Sequence, residues 1–187
     1  MRRFSAAEVR QFLGSVDAEV TGPCRLVVIG STVAMLWSHR ILMASGDIDV
    51  VSVEGQGFAE ACERVGARLG LPIPVQRVGV FDAPYSYEAR LEQAPGLHFK
   101  NIEVMLPERH DWALMKAARG AESDLDHVEQ VHQLGAFDLA TLVERFGEMQ
   151  FVGPPRRLRQ NFLALIERLF GTAAAEQADR ALPEPRG

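Results

Sequence analysis

The sequence contains little cysteine, with Cys24 and Cys62 the only two in 187 residues. One lies in a predicted strand and the other in a predicted helix, so they form neither a disulfide framework nor a cysteine set with metal-site spacing. Positive charge is also scarce, because 20 Lys and Arg residues stand against 25 Asp and Glu residues, for a formal net charge of -5. This balance excludes a dedicated nucleic-acid packaging protein and a polybasic membrane binder, which both need a dominant positive field.

Long apolar runs are missing as well. No segment approaches the roughly 18 uninterrupted apolar residues of a membrane span. The first residues, MRRFSAAEVRQFLG, carry two arginines but no apolar stretch of the kind found in signal peptides. We therefore expect a soluble, cytoplasmic protein that makes no membrane contact. Its 47% of hydrophobic residues suffices for one domain with a substantial core and a small helical lobe.

The first part of the chain mixes predicted helices and strands. Ser5 and Glu8 have the spacing of a capping box, which predicts a helix over residues 5–13. The elements predicted after it are a strand at 24–30, a helix at 31–39, a strand at 47–53, a helix at 56–69 and strands at 75–81, 85–91 and 98–106.

After Pro107 the pattern becomes helical. Helices are predicted at 107–119, 123–134, 138–146 and 155–170, and the small, polar tail from about residue 172 is expected to fray. The sequence thus predicts an α/β domain with a mixed sheet over residues 1–106, followed by a helical lobe over 107–187.

Two aspartates, Asp47 and Asp49, interrupt an otherwise apolar strand pattern, DIDVVSV. Side chains two apart in a strand point to the same face, about 7 Å apart. Two carboxylates that close repel each other, and a divalent cation is the simplest group that reconciles them. Oxygen ligands without converging His or Cys favour Mg²⁺ or Mn²⁺ over zinc. The alternative is that Asp47 ends a turn and Asp49 faces solvent at a strand edge.

Two further features favour the metal-site interpretation. Gly30 and Ser31 end one strand and open a helix, where backbone N–H groups and the helix dipole favour a phosphate. Glu103 is predicted on the polar face of a later strand, where it could converge on the aspartates as a third metal ligand. Three carboxylates beside a phosphate-binding turn are what two-metal nucleotidyl transfer requires.

The segment GSTVAMLWSHRILMASGDIDV resembles the DNA-polymerase-beta-like nucleotidyltransferase superfamily, in which a strand, a Gly-Ser pair, a helix and a D-x-D motif follow one another. It is most similar to the minimal branch that contains AbiEii-type toxins, including a His-Arg pair before the acidic motif. A second segment, LPERHDWALMKAARGAESDLDHVEQV, resembles the same branch, where a helix carries a lysine and an Arg and an Asp follow.

The resemblance implies an α-β-α-β nucleotidyltransferase core that moves a nucleoside monophosphate from an NTP to an acceptor hydroxyl. The acceptor would be a tRNA end or a protein, and the protein would be the toxin of a toxin-antitoxin system with an antitoxin partner. Gly30 and Ser31 would hold phosphates, Asp47 and Asp49 the metal, and Lys116 the nucleotide. Asp124 would fill the acidic position of the second motif. Where many relatives have a further aspartate, this chain has His127.

Simpler interpretations remain for several of these residues. Lys116 would pair with Asp111 or extend along a helix surface. Asp124 would serve the first turn of a helix that begins with a capping box at Ser123. Arg40 would bind a phosphate or cap the carbonyls of the preceding helix, and the sequence does not separate these two roles.

Two other functions compete with catalysis of nucleotidyl transfer. The first is a catalytically inactive nucleotidyltransferase-like subunit that serves as a binding partner. The second is a sugar-nucleotide glycosyltransferase with a D-x-D metal motif, although such enzymes usually have a larger sheet than this chain supplies.

Overall fold

The structure is a computed structural model that describes residues 2–38, 40 and 43–183. Within these residues the helices are α1 (Ala6–Glu19), α2 (Ser31–Trp37), α3 (Phe58–Leu69), α4 (Arg109–Arg119), α5 (Glu122–Leu134), α6 (Leu139–Phe146), α7 (Pro155–Phe170) and α8 (Thr172–Ala181). The strands are β1 (Phe4–Ser5), β2 (Cys24–Ile29), β3 (Ala44–Ser45), β4 (Ile48–Glu54), β5 (Val75–Arg77), β6 (Ala83–Pro84), β7 (Glu92–Gln93), β8 (Ile102–Leu106) and β9 (Met149–Gln150). None of the described helices combines the length and apolarity needed to cross a membrane.

The chain divides into two compact units. The first contains the described residues up to 79 together with 91–107, and the second contains 80–90 together with the described residues from 108 onward. The sequence prediction placed a single boundary between residues 106 and 107. It therefore assigned residues 80–90 to the sheet domain, whereas in the structure they group with the helical unit.

The first unit is built on a five-stranded mixed sheet with the order β5-β4-β2-β8-β7. β2 is the central strand, antiparallel to β4 and parallel to β8. Its apolar sequence suits this position, and Leu26 and Val28 are completely buried. The predicted capping box is confirmed, because the Ser5 and Glu8 side chains each accept a hydrogen bond from the other's backbone N–H at the start of α1.

The second unit is mainly helical, with α4 in contact with α5, α6 and α7. The fully buried Trp112 of α4 and Phe162 of α7 lie in its core. β6 and β9 add a small antiparallel pair. The mixed α/β fold class with a following helical region is thereby confirmed.

Several predicted elements differ from the observed ones. The predicted strand at 85–91 is wrong, because this segment forms a turn and a 3-10 helix at Tyr87–Arg90. The reason is a tertiary contact: Arg90 forms two hydrogen bonds, of 2.8 and 3.0 Å, with the buried carboxylate of Asp111. The predicted helix at 31–39 ends at Trp37 in the structure, and position 39 lies outside the described residues.

The predicted fraying of the tail is wrong for residues 172–181, and residues 184–187 lie outside the described part of the chain. Residues 172–181 form α8, in which Ala178 is buried. Its alanine-rich sequence has high helix propensity, which the polar composition concealed. Arg159 of α7 holds the helix through hydrogen bonds to the Asp179 carboxylate and to the carbonyls of Asp179 and Pro183.

Candidate active site

The turn after β2 lies directly against Asp49. Ile29, the last residue of β2, pairs with Asp49 of β4 in the antiparallel register. Gly30 follows with φ 73° and ψ -154°, a conformation that residues with a side chain avoid. A Cβ added at Gly30 would lie 2.4 Å from Asp49 Oδ2. The turn must therefore be glycine for two reasons, its backbone conformation and its close approach to a carboxylate.

Asp47 is held next to the same turn by a different set of contacts. The sequence predicted Asp47 as the first residue of a strand, but β4 begins at Ile48, so Asp47 lies just outside the observed strand. The Thr32 hydroxyl, in the first turn of α2, donates to the Asp47 backbone carbonyl at 3.0 Å. The Ser45 hydroxyl donates to Asp47 Oδ1 at 3.4 Å. The Gly-Ser turn and both aspartates thus belong to one small region of the first unit.

The chemistry of these side chains fits a hard divalent cation. Both are carboxylates, the ligands that Mg²⁺ and Mn²⁺ prefer, and both are half-buried. Among the described residues, no group of three or more His, Cys, Asp or Glu side chains could hold a metal ion. The protein would therefore supply two carboxylates, and substrate phosphates and water would complete the coordination, as is common for Mg²⁺.

The predicted convergence of Glu103 on the aspartates is wrong. Glu103 is paired with Arg25 in the parallel register of β2 and β8, and its Oε2 lies 3.2 Å from Arg25 Nε. Asp49 is level with Ile29, four residues further along β2, which is about 13 Å at 3.3 Å per residue. The two residues are also two strands apart, so one cation cannot bind both. Glu103 lies away from the site because of the register of β8 against β2. The alternation of side chains along a strand predicts the face of a residue but not this register.

Arg40 lies close in sequence to this site, and its side chain is exposed. Its backbone N–H donates to the Ser38 hydroxyl at 3.1 Å, just after α2 ends. Positions 39, 41 and 42 lie outside the described residues, and the roles of Arg40 as a phosphate ligand or helix cap stay predictions.

Lys116 forms a buried ion cluster in the second unit. Its Nζ lies 2.9 Å from Asp124 Oδ1, and Arg119 also donates to the Asp124 carboxylate. Asp124 is completely buried and Lys116 is 5% exposed. Burial acts to raise the pKa of Asp124, but hydrogen bonds from Arg119 and the positive charge of Lys116 outweigh it and hold that pKa below its usual range.

Two of the simpler predictions for this segment are wrong. Lys116 pairs with Asp124, while Asp111 pairs with Arg90 and Arg145. The capping box at Ser123 is not formed either, because α5 begins one residue earlier and its N-cap is Ala121. Asp124 does lie in the first turn of α5, as predicted, and there it is a buried partner of two cations.

Sequence reasoning missed the polar network around the start of α4. Glu108 caps this helix through the His110 backbone N–H, and its carboxylate also contacts the His110 ring and Arg145. Burial acts to raise the pKa of Glu108, but the hydrogen bonds from His110 and the charge of Arg145 lower it to about 2. His110 Nε2 accepts from the Asp138 N–H at 2.9 Å, which ties α4 to the start of α6. The contacts with Arg145 and Asp138 join residues far apart in the sequence, so sequence patterns do not reveal them.

Thr32 was missed too, although a signal for it exists. It is a buried polar residue directly after the Gly-Ser pair, and the rest of the helix, residues 33–37, is apolar. A hydroxyl buried at such a position needs a partner, and the neighbouring turn is the nearest source of one.

The fold and the turn define a mixed α/β protein with two carboxylates beside a glycine turn. A family model described as "nucleotidyltransferase of unknown function (DUF6036)" matches residues 7–165, and the chain belongs to this family. No curated protein and no solved structure matches the chain.

Proposed function

We propose that this protein is a magnesium-dependent nucleotidyltransferase that moves a nucleoside monophosphate from an NTP to an acceptor hydroxyl. The observation that carries the proposal is the contact between Gly30 and Asp49. The Gly30 turn, of the kind that binds phosphates, approaches the Asp49 carboxylate so closely that a Cβ at Gly30 would not fit. Membership of the nucleotidyltransferase family supports the same class of reaction. The half-buried Asp47, attached to the same turn through Thr32, supplies the second carboxylate.

In the proposed reaction, the acceptor oxygen forms a bond to the α-phosphorus and the bond from that phosphorus to the bridging oxygen breaks. Pyrophosphate leaves, and the proton of the acceptor hydroxyl passes to solvent. Asp47 and Asp49 would hold Mg²⁺ or Mn²⁺, which when bound neutralises phosphate charge and lowers the pKa of the acceptor hydroxyl. Gly30 and Ser31 would contact the phosphates at the turn. Arg40 would neutralise charge on the triphosphate, while the nucleotide contact of Lys116 stays a prediction, because its ammonium is buried against Asp124 in the second unit.

The finer assignment rests on the resemblance of two sequence segments to AbiEii-type toxins. On this basis we propose that the acceptor is a tRNA end or a protein hydroxyl, and that the protein is the toxin of a toxin-antitoxin pair. Expression in a bacterial host should then arrest growth, and D49N should abolish the arrest. Equal growth inhibition by wild type and a stably folded D49N would contradict the toxin proposal.

The activity is tested by incubating the purified protein with each α-labelled NTP, first with bulk RNA and then with a protein lysate. Label should enter one pool only when Mg²⁺ or Mn²⁺ is present. D47N and D49N should each lose the incorporation, while E103Q should retain it because Glu103 lies away from the aspartates. If D49N transfers label as well as wild type, Asp49 has no metal role.

One observation favours the alternative of a catalytically inactive binding subunit. With Glu103 paired to Arg25, the described residues offer two carboxylates where the sequence predicted three. Thermal unfolding with and without Mg²⁺-NTP separates the alternatives, because a ligand that binds only the folded state raises the melting temperature. The absence of a metal-dependent shift would favour the inactive binding subunit.

A further inference from the structure

Two buried hydroxyl groups converge on Asp47. Thr32 is 1% exposed and Ser45 is 7% exposed. Thr32 Oγ1 donates to the Asp47 carbonyl at 3.0 Å, and Ser45 Oγ contacts Asp47 Oδ1 at 3.4 Å, which is longer and weaker than a usual hydroxyl hydrogen bond. One contact fixes the backbone of Asp47 and the other restrains its carboxylate.

The Thr32 contact replaces a bond that the sheet cannot make. β2 and β4 pair Ile29 with Asp49, and continuing this antiparallel register would bring residue 31 opposite Asp47. Helix α2 begins at Ser31, so the backbone there turns away from the sheet. The next side chain, Thr32, supplies the hydrogen bond to Asp47 in its place.

Asp47 depends on these contacts more than Asp49 does. Asp49 is within β4 and is fixed by its pairing with Ile29 on one side and Gln76 on the other. Asp47 lies in the bend between β3 and β4, outside both strands. A ligand on such a segment must be pre-organised by its neighbours if it is to bind a cation without a large ordering cost.

We propose that Thr32 and Ser45 are positioning residues that hold Asp47 in place for divalent cation binding. The proposal rests on the proposed function, in which Asp47 and Asp49 bind the cation. Thr32 links the Gly30-Ser31 turn to Asp47, so that the phosphate-binding turn and the metal ligand keep a fixed distance from each other. Ser45 limits the rotation of the carboxylate through its contact with Oδ1.

The test is calorimetric titration of the full chain with Mn²⁺ and inorganic triphosphate, which carries the phosphates without a base. T32V keeps the side-chain shape but removes the hydroxyl, and loss of one hydrogen bond should weaken binding by about threefold to tenfold. T32S retains the hydroxyl and should bind within about twofold of wild type. S45A loses the longer bond and should weaken binding by about twofold to threefold.

T141V is the matched control. It removes the Thr141 hydroxyl bond to Asp138 Oδ1, of 2.7 Å, in the other unit. It should lower thermal stability as T32V does, yet leave Mn²⁺-triphosphate binding unchanged. A purely structural role of Thr32 would give T32V the behaviour of this control.

The outcomes separate the two proposals. Absence of metal-triphosphate binding by wild type overturns the proposed function and the positioning role together. Tight binding by wild type that is unchanged in T32V and S45A overturns the positioning role alone. If circular dichroism shows that T32V does not fold, S45A decides: weaker binding supports the role and unchanged binding refutes it.

Discussion

Replacing Gly30 with alanine should damage the site much more than it damages the fold. The added Cβ would lie 2.4 Å from Asp49 Oδ2, and an ordinary contact requires 3.4 Å or more. The carboxylate or the turn must therefore move by about 1 Å, a displacement that costs about a hundredfold in rate when it affects a reacting geometry. The φ of 73° adds backbone strain of about 1–3 kcal/mol.

G57A is the matched control for this prediction. Gly57 also has a positive φ, of 76°, but a Cβ there would meet nothing within 4 Å. Both variants should lose thermal stability, by about 2–4 °C for each 1 kcal/mol of strain in a protein of this size. Only G30A should also lose label transfer from NTP, measured at a temperature where both proteins are folded.

The comparison of activities decides whether the turn belongs to the site. Circular dichroism melts give the stability loss, and incorporation of α-labelled NTP gives the rate. A G30A protein that transfers label within about threefold of G57A would refute the reasoning. It would show that the position of Asp49 against the turn has no part in the reaction.

Three other predictions concern the second unit. D124A should lower the free energy of unfolding by about 3–5 kcal/mol, because it removes the buried carboxylate that pairs with the Lys116 ammonium. Urea unfolding measures this, and the double variant K116M/D124A should recover part of the loss. Glu108 has its pKa lowered from 4.5 to about 2 on folding, so its stabilising contribution should be complete above about pH 5 and disappear as the pH falls towards 2. Urea midpoints from pH 7 to 2 should therefore decline less steeply in E108Q, and parallel curves would contradict this. A178D places a charge at a buried position of α8 and should lower the melting temperature by at least 5 °C, about 1–2 kcal/mol, while A173D at an exposed position should not; equal melts would mean that α8 is not packed.

Much of the fold could be predicted because its signals are local. The capping box at Ser5 and Glu8 marks the start of α1, and the predicted helix at 155–170 coincides with α7. Both depend on residues a few positions apart, which interact in the same way in any helix. The strand at residues 85–91 and the frayed tail were mispredicted because tertiary contacts decide those segments. Arg90 is drawn to Asp111, and α8 is held by Arg159 of α7.

In the candidate site, too, the local features were predictable and the feature that depends on tertiary structure was not. The link between Gly30 and Asp49 follows from a short connection, since two antiparallel strands joined through one helix must bring the end of the first beside the start of the second. The position of Glu103 depends on how β8 pairs with the sheet after a longer connection from β4, of about fifty residues. The sequence does not specify the register of that pairing. Parallel pairing of β8 with β2 brings its first residues level with Cys24 and Arg25, so its last residues lie towards the Gly30 end. Glu103 is the second residue of β8 and therefore lies level with Arg25, at the end of β2 away from Gly30.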